Sequence, residues 1–207
     1  MGKKYYVVIA IILISLVVLA ACGGEKTPAP AAPDAQPAPA TTEAAPATET
    51  EEEEIEMEIT SSAFQNGESI PQKYSCSGQD VSPALAWSGV PAGTQSLALV
   101  LDDPDAPGGT FNHWVIYNIP AGTLELAEAI PGTAQLSNGA MQGKNSFGNI
   151  GYGGPCPPLG PTHHYYFTLY ALDVTLDLAA GATKAQVLAA IKGHILAQAE
   201  TMGTFRR

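Results

Sequence analysis

Two short apolar runs held apart by a stiff acidic loop place the strongest constraint on this chain. The first run, Ser96-Leu97-Ala98-Leu99-Val100-Leu101, is of buried-strand type. The second, Trp114-Val115-Ile116-Tyr117-Asn118-Ile119, is rich in β-branched and aromatic residues and is stopped by Pro120. Between them run Asp102-Asp103-Pro104-Asp105-Ala106-Pro107-Gly108-Gly109. Pro104 and Pro107 fix φ and withhold N–H donors, so the loop cannot slide into either strand. Gly108-Gly109 then permit a sharp reversal. A carboxylate cluster therefore sits where one strand ends, and His113 sits where the next begins. A loop held this stiffly can position side chains for binding. The plainer alternative is a turn with solvated acids.

The rest of the chain after residue 54 reads as more strands and one helix. Ile55-Glu56-Met57-Glu58-Ile59-Thr60 alternates apolar and polar, which predicts a first strand. Leu85-Ala86-Trp87 is a short apolar patch before the turn cluster Gly89–Gly93. Ile130 to Gly154 is long, glycine-rich and irregular, the pattern of a functional loop or covering flap. His163–Leu172 is a strong aromatic strand, too apolar on both faces to be solvated on either. Thr183 and Gln186 have capping-box spacing. Val187, Leu188, Ile191, Ile195 and Leu196 follow at helical spacing, and Gly203 suits the far end, so a C-terminal helix packed on a sheet edge is predicted. Many strands, turn-rich connections and one late helix predict a mainly β protein, an antiparallel β sandwich.

Charge is distributed unevenly along the chain. Residues 25–58 hold ten of the twenty acids against Lys26 alone, whereas the remainder from Ile59 has ten acids and six bases. Neither part offers the basic patch that nucleic acid requires. Met1–Cys22 has Lys3 and Lys4, then an apolar stretch, then Leu19-Ala20-Ala21-Cys22. This resembles a bacterial lipobox, in which Cys22 is lipidated and becomes the mature N-terminus; the alternative is an uncleaved membrane anchor. Residues 23–54 are rich in Ala, Pro, Thr and Glu, and cannot bury enough surface to offset their ordering entropy. They read as an extended tether. The expected organisation is a signal peptide over 1–22, a disordered tether over 23–54 and a folded domain over 55–207. That domain is expected outside the cytoplasm, anchored to the bacterial cell membrane.

A second motif, Gly151-Tyr152-Gly153-Gly154-Pro155-Cys156-Pro157-Pro158-Leu159-Gly160-Pro161-Thr162, runs straight into His163-His164-Tyr165. Glycines let backbone N–H groups approach a ligand, and successive N–H groups can form an anion-binding concavity. A histidine at the strand edge adds a proton-dependent donor. Successive strand side chains alternate, so His164 should face away from His163. Cys76 and Cys156 remain as an even pair in an oxidising compartment once Cys22 carries lipid. They are either bridged, pinning the Tyr74–Asp80 loop to the pocket wall, or two buried thiols.

Asp102–Pro107 with His113-Trp114, and Gly154-Pro155-Cys156-Pro157-Pro158 with His163-His164-Tyr165, resemble the phosphatidylethanolamine-binding proteins. The nearer likeness is to their bacterial branch, the YbhB/YbcL-type Raf kinase inhibitor-like proteins. Pro71–Pro83 and Gly89–Thr94 extend the match, which covers about residues 57–207. The resemblance implies an antiparallel sandwich (PEBP-like) with a small anion pocket for phosphate-type groups. It implies Asp103 as the pocket acid, His113 and His163 as its histidines, Tyr165 as an aromatic hydroxyl, and Pro157 and Pro158 as wall. Asp105 is expected to support the loop from inside, with Gly154 supporting the wall. The bacterial motif Asn-Asp-Phe reads Asn145-Ser146-Phe147 here, so one carboxylate is missing.

The leading reading is a membrane-tethered binding module for a phospholipid head group, a nucleotide or a phosphorylated partner, with a homodimer left open. A protease or kinase inhibitor acting through surface loops is the alternative. A hydrolytic enzyme using the Asp/His pocket ranks lower, because no activated nucleophile stands in a recognisable motif. No catalytic residue and no cofactor is expected. No metal is expected either, since the spacings of Asp103, His113 and His163 match no standard ligand pattern.

Overall fold

The computed structural model describes residues 56–207. The expected signal segment, the expected lipidation at Cys22, the expected tether and Ile55 lie outside the described residues. Chain order is β1 (Glu58–Ser61), a 3-10 turn (Gln72–Tyr74), β2 (Leu85–Ser88), β3 (Ser96–Asp103), β4 (Phe111–Pro120) and β5 (Glu125–Leu126). Then come β6 (Met141–Gln142), β7 (His163–Leu172), α1 (Lys184–Ile191) and β8 (Ile195–Phe205). A three-stranded sheet has the order β1-β2-β5, and a five-stranded sheet the order β6-β4-β3-β7-β8. Each of these strand pairings is antiparallel.

The large sheet is covered on both faces, which explains why β3 and β4 are apolar almost without alternation. Leu97, Leu99, Trp114, Ile116, Phe167 and Leu169 join Ile59, Leu85, Trp87 and Leu126 of the small sheet in one core. Ala98, Val115, Tyr117 and Leu172 face the other way and pack with Leu176, Ala182, Val187 and Ile191 in a second core under α1. Each such fully buried side chain contributes roughly 1.5–3 kcal/mol. Strand β7 departs from the expected pattern. Its inner face is buried, but Tyr166, Thr168 and Tyr170 on the outer face are half-buried.

The C-terminal helix is shorter than its sequence predicts. Thr183 and Gln186 do form a capping box, and Val187 and Ile191 are buried. The helix ends at Ile191, the chain turns at Gly193 with φ 86°, and Ile195–Phe205 becomes strand β8. Ile195 and Leu196 are therefore 43% exposed instead of lying on a helical stripe. Gly203 lies in the strand opposite Tyr165, and a Cβ there would come within 2.5 Å of Ile70 Cγ1. Ala, Gln, Glu and Met between Ala197 and Met202 favour a helix. Ten register pairs with β7 override that preference. The helix also packs on the face of the large sheet against β4, not on its edge.

The Ile130–Gly154 segment is irregular but built around two buried amides. Gln142 Oε1 accepts from Trp114 Nε1 at 2.8 Å, while its Nε2 donates to the carbonyls of Pro131 and Thr133, each at 2.7 Å. Asn145 Nδ2 donates to the Gly151 carbonyl at 2.9 Å. These bonds satisfy backbone groups that have no ladder partner.

Candidate functional site

The acidic loop sends its three carboxylates to three different partners. Asp102 pairs with Lys184 on the helix side. Asp103 turns inward, and its Oδ2 accepts from His163 Nδ1 at 2.8 Å. Asp105 lies outside, where its Oδ2 accepts from His164 Nδ1 at 2.7 Å and from the His164 backbone N–H at 2.9 Å. Alternation along β7 does this: His163 is 3% exposed, while the His164 side chain is 43% exposed. Asp105 thus corrects the expectation that it braces the loop from inside. The bonds from His164 hold its carboxyl below the usual range, and its own backbone N–H donates to Asp103 Oδ1 at 2.9 Å.

His113 reaches the same place by a break in register. Leu101 pairs with Trp114 and Asp102 with Asn112, so His113 is an extra residue on β4. Such a bulge re-aims a side chain. Strict alternation would send His113 to the helix side with Val115 and Tyr117. Instead its ring lies 5.2 Å from that of Tyr165 on the inner face. Asn112 braces the bulge by donating to the carbonyls of Leu101 and Trp114 at 2.9 and 3.1 Å. Ser146 clamps Asn112 in turn, its Oγ accepting from the Asn112 N–H at 3.0 Å and its N–H donating to the Asn112 carbonyl at 2.8 Å. The position where an acid was missing therefore has a structural task of its own.

Asp103, His113 and His163 form the polar end of a cavity of about 200 Å³. Pro107, Phe111, Phe147, Pro157 and Pro158 make its apolar wall, and Cys156 is on its rim beside Pro157. Phe147 stands edge-on to His113 at 5.4 Å and is 45% exposed, so it forms an open lip. The volume lies below the usual range for drug-sized ligands, which suits a small group. The sequence reading missed Phe111 and Phe147. Their signal was present: Phe111 lies just after the Gly108-Gly109 reversal and Phe147 ends the Asn145-Ser146-Phe147 motif.

Electrostatics at the polar end follow from the hydrogen bonds. His113 Nδ1 donates to the Gly153 carbonyl at 2.8 Å and His163 Nδ1 donates to the Asp103 carboxylate. Both partners are acceptors, so each ring carries its neutral-state proton on Nδ1 and leaves Nε2 without a hydrogen bond. Burial lowers the His113 pKa, with the Gly153 bond and the Asp103 charge opposing it in part.

Tyr165 and the glycine motif behave differently from expectation. Tyr165 packs behind His113 and does not line the cavity; its buried hydroxyl has no hydrogen-bond partner. Burial and then the Asp103 charge push that hydroxyl's pKa well up. Two glycine amides of the expected backbone anion cradle are already engaged. Gly153 N–H donates to the His113 carbonyl at 3.0 Å and Gly154 N–H to Asp80 Oδ1 at 2.7 Å. Gly154 supports the wall because only glycine fits: a Cβ would come within 2.1 Å of the Tyr74 carbonyl. Cys76 and Cys156 are bonded, with Sγ atoms 2.01 Å and Cα atoms 5.4 Å apart. No group of three or more His, Cys, Asp or Glu with metal-holding geometry occurs among the described residues.

Fold and site together define a two-sheet β protein with a small histidine-bearing cavity at one end of its large sheet. A family model described as phosphatidylethanolamine-binding protein matches residues 60–206. A UPF0098 protein of Methanothermobacter thermautotrophicus is 48% identical over 151 residues, covering 73% of this chain and 99% of that one. Another from Aquifex aeolicus is 50% identical over 153 residues, covering 73% and 89%. Among solved structures, a phosphatidylethanolamine-binding protein homolog from Chlamydia trachomatis aligns with TM-score 0.68 and 46% identity, covering 74% and 99%. Escherichia coli YbcL aligns with TM-score 0.69 and 36% identity, covering 73% and 99%. The chain belongs to the phosphatidylethanolamine-binding protein family.

Proposed function

We propose that this protein is an extracytoplasmic, membrane-tethered binding module whose cavity takes a small phosphate-type anion. Such a group occurs on a phospholipid head group, a nucleotide or a phosphorylated partner. The observation that carries the reading is the pair of imidazoles on one cavity, each tied through Nδ1 to an acceptor. Protonation turns each unengaged Nε2 into an N–H donor toward the cavity. The backbone amides of Gly153 and Gly154 are spoken for, and prolines supply no N–H. The anion is therefore held by imidazolium donors, while Asp103 orients His163 and offsets its charge. Phe111 and Phe147 flank His113 and shield it from water, so a bound anion and the imidazolium interact in a low-dielectric pocket. Binding then takes up protons, and affinity falls as pH rises.

Calorimetry with inorganic phosphate and with phosphoserine tests this directly. Expected are proton uptake on binding, read from buffers of different ionisation enthalpy, and at least tenfold weaker binding in His163→Ala and in Asp103→Ala, about 1.4 kcal/mol each. Unchanged affinity in both variants removes the pocket assignment.

A further inference from the structure

The geometry points to the Cys76–Cys156 bridge as a thiol–disulfide exchange site, opened by a dithiol reductant while the domain stays folded. Three observations converge on it. Cys76 is an exposed residue and Cys156 is half-buried, so the bridge lies at the surface and not in the core. The Arg207 guanidinium lies on both sulfurs, its Nη1 3.6 Å from Cys156 Sγ and 3.9 Å from Cys76 Sγ. Lastly, the loop the bridge fastens is also held without it. The Cys76 N–H donates to the Pro155 carbonyl at 3.1 Å, Tyr152 Oη to the Tyr74 carbonyl at 2.7 Å, and the Gly154 N–H to Asp80 Oδ1 at 2.7 Å. Those bonds keep the two cysteines facing each other after the S–S bond breaks, which makes the step reversible.

Arg207 is placed there by strand register. Phe205 pairs with His163 at the end of β8, and Arg207 falls two residues further on, beside Cys156. A guanidinium beside a sulfur stabilises its thiolate, and a better leaving thiolate speeds exchange and raises the reduction potential.

The step follows from which cysteine is the more exposed residue and which sulfur is nearer the cation. A thiolate of the reductant attacks Cys76 Sγ. The Cys76–Cys156 bond breaks, and its electron pair leaves on Cys156 Sγ beside Arg207. The reductant's second thiolate attacks its own sulfur in the mixed disulfide and releases Cys76 as a thiolate. Two electrons have then passed to the protein, the two thiolates take protons according to their pKa values, and the reductant departs as a disulfide. Cys156 also lines the cavity. A thiolate there adds negative charge to the wall, so reduction weakens phosphate binding. That last consequence rests on the pocket reading above; the exchange site does not.

The test equilibrates the full mature chain in reduced/oxidised dithiothreitol buffers and reads thiols by alkylation and mass spectrometry, with circular dichroism alongside. The expected result is a native-state midpoint at which the β spectrum is retained. Arg207→Gln should make the bridge about tenfold harder to reduce, equivalent to about 30 mV for a two-electron couple. Arg207→Lys should restore most of the shift, and Arg206→Gln should show none. A bridge that opens only as the β spectrum is lost overturns the proposal, as does an Arg207→Gln midpoint equal to the wild type. Phosphate titration of both redox forms separates the two readings. If neither form binds phosphate while the midpoint shift persists, the pocket assignment fails and the exchange site stands.

Discussion

His113 is the cavity histidine whose proton affinity the fold lowers. Burial lowers its pKa, so the native state resists a proton that the unfolded chain accepts near pH 6.5. Above that value both states are neutral and His113 contributes no pH dependence. Below it the unfolded chain binds the proton first, so stability is lost as pH falls from about 6.5 toward the lower native value. Thermal melts of the phosphate-free protein should therefore drop between about pH 7 and pH 5.5 more steeply than those of His113→Gln. Saturating phosphate should recover part of the wild-type loss, because a bound anion favours the imidazolium. Equal slopes for wild type and variant would show that His113 is not the group being titrated. Asp105 acts in a separate, more acidic window. Its lowered carboxyl contributes stability that is present above the unfolded carboxylate pKa and disappears as pH falls through the native one.

Strand β8 is the element on which local preference and tertiary structure disagree. Read as a helix, Gly203 is an end-capping glycine whose role is purely local. In the strand, Gly203 is a close approach to Ile70 and Phe64, with a Cβ 2.5 Å from Ile70 Cγ1 and 2.9 Å from Phe64 Cε2. Gly203→Ala should therefore destabilise the domain by about 1–3 kcal/mol through overpacking. Urea denaturation monitored by tryptophan fluorescence checks this, and a variant as stable as the wild type would remove the close approach. The same element carries Arg207 to the Cys76–Cys156 bridge, so its register also fixes what sits beside the sulfurs.

At the scale of the whole molecule, we propose that the N-terminal residues, outside the described ones, set where the domain from Glu56 resides. Leu19-Ala20-Ala21-Cys22 predicts lipidation at Cys22. Labelled fatty acid should enter the wild-type chain in a bacterial host and be absent from Cys22→Ser, which should remain as unprocessed precursor. A wild-type chain that never incorporates label removes the lipoprotein assignment.

Much of the fold was legible because its signals are local. The Pro104/Pro107 loop, the aromatic run His163–Leu172 and the apolar runs at Ser96 and Trp114 each state their conformation through φ restriction or periodicity. The Thr183/Gln186 capping box was legible for the same reason, because both partners lie within one helical turn. Family motifs named Asp103, His113 and His163, and strand alternation separated His163 from His164. Only the tertiary structure decided the rest. The end of α1 at Ile191 depends on β7 offering a partner to residues that would otherwise continue a helix. The inward turn of His113 depends on a bulge that exists only when β4 is registered against β3. The fate of the glycine amides depends on Asp80 and the His113 carbonyl, which are remote in sequence and arrive by folding. Propensity and periodicity act over a few residues, whereas register, bulges and close approach are set by chains that meet from far apart.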